Sequence, residues 1–116
     1  MKIGIIGSRR RTNKEEVIRL VDTLKKTDIV VSGGCKGVDT WAVERARERL
    51  MAVIIHTPDL KDIKSRGDMI QRYYDRNKKI AETCDILYAF VAKDRTGGSE
   101  NTISYAEKFK KKVIIL

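Results

Sequence analysis

The stretch "IVVSGGCKGVDTWAVERA", Ile29 to Ala46, decides the fold of this chain. It opens on a branched apolar run, Ile29 to Val31, of the kind that fills a strand buried on both faces. It closes on Val38, Trp41, Ala42 and Ala46, spaced to line one face of a helix that continues to Leu50. Between the two, Gly33, Gly34 and Gly37 place three glycines within five residues. A strand-to-helix turn needs one such residue, or two. The surplus has two readings: a permissive turn, or a backbone that must come close to something that is not protein.

The same alternation extends in both directions. "KIGIIG", "AVIIH", "DILYAFV" and "KVIIL" are further short runs rich in Ile and Val. Helical stripes lie between them. Val17, Leu20, Val21 and Leu24 form one, with Thr12 and Glu15 as a capping box ahead of it. Ile70, Tyr73, Tyr74, Asn77, Ile80, Ala81 and Cys84 form another, and Ile103, Ala106 and Phe109 a shorter one. Strands alternating with helices predict an α/β, Rossmann-like three-layer sandwich, with about five mostly parallel strands and helices on both faces. The expected strand order is 3-2-1-4-5, in a single domain spanning residues 1–116.

Composition narrows the partners. The chain has 116 residues and a net charge of +9, from 25 basic and 16 acidic residues. The charge is clustered: "RRRTNK" (Arg9 to Lys14) and "KFKKK" (Lys108 to Lys112) each carry four cations and no acid. Lys61 to Lys79 holds seven basic and three acidic residues. Such clusters favour a polyanion, nucleotide or nucleic acid, over a merely solvated surface. No run approaches the roughly 18 apolar residues of a membrane span. In "MKIGIIGSRRR" the arginines follow the apolar run, the reverse of a secretory signal, so a cytoplasmic protein is expected. Cys35, Cys84 and the lone His56 lack metal-ligand spacing, and no metal site is expected. Cys35 reads as a small filler.

In such sheets ligands sit beyond the carboxyl ends of the strands, where strand order reverses. Three of those ends are unusual: "GSRRR" (Gly7 to Arg11), "SGGCKGVD" (Ser32 to Asp39) and "KDRTGGSENT" (Lys93 to Thr102). In the order 3-2-1-4-5 they are neighbours. Glycine backbones and helix N-termini suit an oxyanion, the hydroxyls of Ser8, Ser32, Ser99 and Thr102 can donate, and Arg9 or Arg10 can grip phosphate. Two familiar phosphate motifs are absent. "GIIGSRR" is not G-x-G-x-x-G, and Lys36 precedes its glycine, so a dinucleotide oxidoreductase and a P-loop NTPase are both disfavoured.

Asn77 falls on an apolar stripe, so its amide points inward, to clamp a neighbouring loop or to reach the crevice. Arg76 stands at the edge of that face, placed for an anion or for a surface salt bridge with Asp75 or Glu82. Tyr73 and Tyr74 read as core or interface residues, and Trp41 as a core or dimer contact.

Taken in order, "IGIIGSRR", "VVSGGCKGVDTWAVERA", "RYYDRNKKIAETCDILYAF" and "GGSENTISYAEKFKKKVIIL" resemble the SLOG superfamily. Its members include the DprA/Smf DNA-processing proteins, the LOG enzymes and the small YspA-like, YpsA-related proteins, and the last look most similar. The resemblance implies a Rossmann-like domain for nucleotide-derived ligands or, as in DprA, single-stranded DNA. By position it assigns Gly7, Ser8 and Arg9 to a first binding loop and Ser32, Gly33, Gly34, Gly37 and Asp39 to a second. Arg76 and Asn77 match an Arg-Asn motif, and Gly97, Gly98 and Thr102 a last loop. Together with Arg10 and Ser99, these are the expected ligand-binding residues. It also implies a homodimer that pairs through helices beside the site.

One departure matters. LOG-type phosphoribohydrolases carry P-G-G-x-G-T-x-x-E, whose glutamate works at the ribose. Here Tyr105 stands three residues after Thr102 in its place, and Glu100 is out of register. No catalytic residue is therefore assigned, and no cofactor beyond a nucleotide-type ligand is expected. The leading expectation is non-catalytic binding of a nucleotide or related phosphorylated ligand, as a sensor or adaptor. The alternatives are a DprA-like binder of single-stranded nucleic acid and a LOG-like hydrolase using Glu100 or Asp39.

Overall fold

Each branched apolar run becomes a strand, and each amphipathic stripe a helix laid back across the sheet. The computed structural model describes all 116 residues. The strands are β1 (Lys2–Gly7), β2 (Ile29–Ser32), β3 (Ala52–Ile55), β4 (Ile86–Phe90) and β5 (Lys112–Ile115). The helices are α1 (Lys14–Asp22), α2 (Val38–Glu48), α3 (Arg66–Thr83) and α4 (Gly98–Lys108). All strand pairs are parallel and the order is 3-2-1-4-5, as the sequence predicts.

Alternation along β1 divides the core. Ile3 and Ile5 face α1 and α2 in one cluster with Val17, Val21, Val30, Ala42 and Phe90. Ile6 faces the opposite way, into a cluster with Val31, Ile80, Ala81, Leu87 and Ile103 under α3 and α4. A parallel sheet covered on both faces needs this two-sided apolarity. The edge strands depart from it. β3 and β5 are only half-buried, because the helical cover thins at the sheet's margins.

Two local expectations are corrected. Asn13, not Thr12, caps α1, its side chain accepting from the Glu15 amide at 3.1 Å. Leu50 leaves the α2 stripe: the helix ends at Glu48, Leu50 turns to φ 60°, and its side chain is 88% exposed. Met51 takes the core position instead, with its amide closing on the Ala46 carbonyl at 2.9 Å.

Helix length sets the site's geometry. The 18 residues of α3 span about 27 Å, whereas a five-residue strand spans about 17 Å. The C-terminal half of α3 packs on the sheet through Ile80 and Ala81. Its N-terminal half overhangs the carboxyl edge, leaving Met69, Ile70 and Tyr74 exposed. No helix is long and apolar enough to cross a membrane.

Candidate functional site

The chain has five buried polar or charged side chains: Ser32, Asp39, Arg76, Asn77 and Thr102. All five stand at the carboxyl edge of the sheet or on the helices above it. Burying polar groups is unfavourable unless they are satisfied, so their concentration at one edge marks the place where packing alone does not choose the residues.

Asp39, in the first turn of α2, reaches back over the β2–α2 turn. Its Oδ2 accepts from the Gly33 amide at 3.1 Å and the Cys35 amide at 3.4 Å. Arg76 arrives from α3 on the other side. Its Nη1 donates to the Gly33 carbonyl at 2.7 Å, its Nε to Asn77 Oδ1 at 2.9 Å, and its Nη2 points at Cys35 Sγ, 3.5 Å away. Asn77 extends the chain, donating through Nδ2 to Asn101 Oδ1 at 3.0 Å. Gly33 is thus clasped between an acid and a guanidinium. A Cβ there would lie 2.9 Å from Arg76 Nη1 and 3.0 Å from Asp39 Oδ2, which explains this glycine without any ligand.

Beside this clasp lies a cavity of about 360 Å³. The end of β1 supplies its floor through Ile6 and Gly7, and the β1–α1 turn supplies Ser8, Arg9 and Arg10. The start of α4 contributes Gly97, Gly98, Ser99 and Thr102, and the overhanging part of α3 contributes Tyr73, Tyr74, Arg76 and Asn77. Cys35 and Asp39 complete it. Of the residues nominated from sequence, Ser32, Gly33, Gly34 and Gly37 lie outside this lining. The physical reason is the clasp. Ser32 is wholly buried behind the turn with its Oγ accepting from the Gly34 amide at 3.2 Å, and Asp39 engages Gly33. Ile6, Cys35, Tyr73 and Tyr74 were not nominated and do line the cavity. For the two tyrosines the available signal was helix length: they fall on the part of the α3 stripe that has no sheet beneath it.

The cavity is electropositive. Arg76 is only 6% exposed, yet no carboxylate oxygen comes within 4.0 Å of it, and neither Asp75 nor Glu82 pairs with it. The Tyr73 ring lies under its guanidinium, 5.4 Å from carbon to centroid. Arg9 makes no ion pair. Arg10 reaches across the mouth to Asp94 at 2.8 Å and Thr96 Oγ1 at 2.6 Å. Gly97 ends the approach to α4 with no side-chain cap, so the positive end of that helix faces the cavity. The opposing charge is Asp39. Burial pushes its carboxyl up to about 6, against the downward pull of the Cys35 and Gly33 amides and of Arg76.

Candidate acids for hydrolysis are differently engaged. Glu100 forms a two-pronged pair with Arg95, both contacts at 2.9 Å, and is not part of the lining. Tyr105 stacks on Phe109 with centroids 6.1 Å apart. His56 lies outside the cavity, with Nε2 2.8 Å from Thr83 Oγ1. No group of three or more His, Cys, Asp or Glu side chains is placed to hold a metal ion.

No family model matches the chain, and no curated protein matches it significantly. Solved structures do match. DNA processing protein A (DprA) from Streptococcus pneumoniae aligns over 98% of this chain, with a TM-score of 0.79 at 21% identity. The chain has the fold of part of DprA. It spans about half of that protein, 49% of its length. TM1055 aligns over 97% of this chain and 71% of its own, with 22% identity and a TM-score of 0.71. The C-terminal domain of PF1911 hydrogenase from Pyrococcus furiosus aligns over 98% and 89%, with 12% identity and a TM-score of 0.54. Identities this low establish a shared fold and nothing finer. At that level the expectation drawn from the SLOG resemblance is borne out.

Proposed function

We propose that this chain is a non-catalytic binding module for a nucleotide or a related phosphorylated ligand, held in the cavity above β1, β2 and β4. The observation that carries this reading is Arg76, a buried guanidinium with no carboxylate at ion-pair distance, lining an open cavity beside Arg9 and the uncapped start of α4. A buried cation is costly without a close counter-charge, Asp39 acts on it only from beyond ion-pair distance, and a bound phosphate supplies a direct partner. Ser8 and Ser99 add hydroxyl donors, the Gly98 and Ser99 amides stand at a helix N-terminus, and Tyr73 and Tyr74 offer an aromatic wall to a base. Asp39 accepts a ligand hydroxyl while it holds the turn. Binding without turnover is favoured because Glu100 is spent on Arg95 and Tyr105 occupies the position of the missing glutamate.

A thermal-shift panel of 5′-nucleoside monophosphates tests this. At one hundred times the dissociation constant a ligand adds about 2.7 kcal/mol of stability, which is easily seen. The expected result is a shift with at least one nucleotide, its loss in Arg9→Ala, and no release of free base. A flat panel overturns the reading, and base release replaces it with hydrolysis.

A second reading is favoured by the fold shared with DNA processing protein A and by the net charge of +9. It is the binding of single-stranded nucleic acid, and it predicts affinity falling steeply with salt as counterions are released.

A further inference from the structure

We propose that the ligand site continues past Arg76 into a second cavity, where Lys79 receives a second phosphate of the same ligand, so that a phosphodiester-linked dinucleotide is preferred to a mononucleotide. The proposal rests on the phosphate-binding reading above.

The second cavity, of about 350 Å³, lies between α3 and the connection that follows β3. Thr57, Pro58 and Asp59 form one side, and Arg72, Asp75, Arg76 and Lys79 the other, with no apolar residue among them. Arg72, Asp75, Arg76 and Lys79 recur at helical spacing and share one face of α3. Tyr73 and Asn77 turn toward the first cavity. Arg76 belongs to both linings, so a single buried guanidinium forms the boundary between two hollows.

The second cavity holds three cations, Arg72, Arg76 and Lys79, against two acids, Asp59 and Asp75. Asp59 pairs with Arg72 at 3.2 Å, and Arg72 also donates to the Asp59 carbonyl at 3.1 Å. Asp75 accepts from Gln71 Nε2 at 2.9 Å. Lys79 has neither an acid nor a carbonyl partner. Its charge is felt nearby: burial first and then Lys79 hold the His56 imidazole below its usual value. An ammonium without an ion pair, beside a guanidinium that also makes none, suits a tetrahedral dianion or a phosphodiester. A mononucleotide brings a single phosphate, which can occupy one side of Arg76 only. A ligand with two phosphates, joined through a sugar, can place one on each side of Arg76.

The test compares the four 5′-mononucleotides with the four 5′-phosphorylated homodinucleotides by titration calorimetry, using wild type, Lys79→Ala, Arg9→Ala and Lys108→Ala. Lys79 is exposed, so its removal leaves the fold intact, and Lys108, at the far end of α4, controls for net charge. The expected result is a dinucleotide binding about tenfold tighter than its mononucleotide, with Lys79→Ala erasing that advantage and leaving the mononucleotide unchanged. Arg9→Ala weakens both ligands, and Lys108→Ala changes neither. Equal affinities in wild type, or an equal loss for both ligands in Lys79→Ala, overturn the second subsite while the phosphate-binding reading stands. Failure of every mononucleotide and dinucleotide to bind overturns both.

Discussion

Two loops on one edge of the sheet open alike, a hydroxyl residue followed by two glycines, in "SGGCKG" and "TGGSEN". Each enters its helix through a glycine at positive φ with no side-chain cap, Gly37 at 90° and Gly97 at 108°. Their surroundings are opposite. In the first, Asp39 and Arg76 close on Gly33 from two sides, and Ser32 satisfies Gly34 from beneath. In the second, a Cβ on Gly97 or Gly98 would meet nothing within 4 Å. In the first loop Gly33 is needed because protein comes close, and Gly34 and Gly37 because φ is positive; in the second, space stays open around both glycines. Paired glycines thus have different physical causes in the two loops, and those of the second leave the backbone open to a ligand.

The largest expected effect bears on the clasp. Asp39 has a folded value of about 6 against an ordinary 3.8, so folding takes up a proton between those values. The contribution of Asp39 to stability is therefore fully present below about pH 4, declines as pH climbs to about 6, and is lost above it. The difference of roughly two pH units corresponds to about 3 kcal/mol. Asp39→Asn keeps an acceptor for the Gly33 amide without the charge. It is expected to raise the unfolding free energy at pH 8 by up to that amount, leave it unchanged at pH 4, and flatten the profile between. Urea titrations across pH 4–8 check this; a destabilised variant at pH 8 would mean that the carboxylate, not its hydrogen bonds, holds the turn.

Much of this architecture is legible in the sequence. The branched runs give five parallel strands, and the three odd strand ends meet because the order 3-2-1-4-5 makes them neighbours. All five buried polar residues were singled out, Asp39, Arg76 and Asn77 by motif and position, and Ser32 and Thr102 by their hydroxyls. What stayed hidden depends on where α3 lands. Composition cannot say that Arg76 points at the Gly33 carbonyl and not at Asp75, since both choices lie within a long side chain's reach. Nor can it say that Tyr73 and Tyr74 stand past the sheet, because that follows from the length of α3 relative to the strands. Cys35 carries no signal in the sequence, because a small residue in a turn looks the same whether or not a cavity lies beside it.

A smaller effect is expected from Gly33→Ala. The new methyl would press on the Arg76 guanidinium and the Asp39 carboxylate, and neither can retreat without giving up a hydrogen bond to the turn. A loss of about 2 kcal/mol is expected from overpacking at a buried site, read as a lower denaturation midpoint with unchanged slope. Wild-type stability in this variant would mean that the clasp is loose and that the two loops differ less than their surroundings suggest.

The smallest effect is the most discriminating. Gly98 opens α4 with space around it and without the positive φ of its neighbour Gly97, so alanine fits there. Gly98→Ala should stabilise the chain by about 0.5 kcal/mol, because the unfolded chain loses freedom that the helix does not need. The same methyl projects toward the cavity that Gly98 lines, and it should weaken a ligand that approaches the α4 amides. Stability and nucleotide affinity therefore move in opposite directions in this variant, whereas Gly33→Ala reduces stability by distorting the clasp. If Gly98→Ala binds as wild type does, the open loop is not where the phosphate sits. The anion would then have to be held by Arg9 and Arg76 alone.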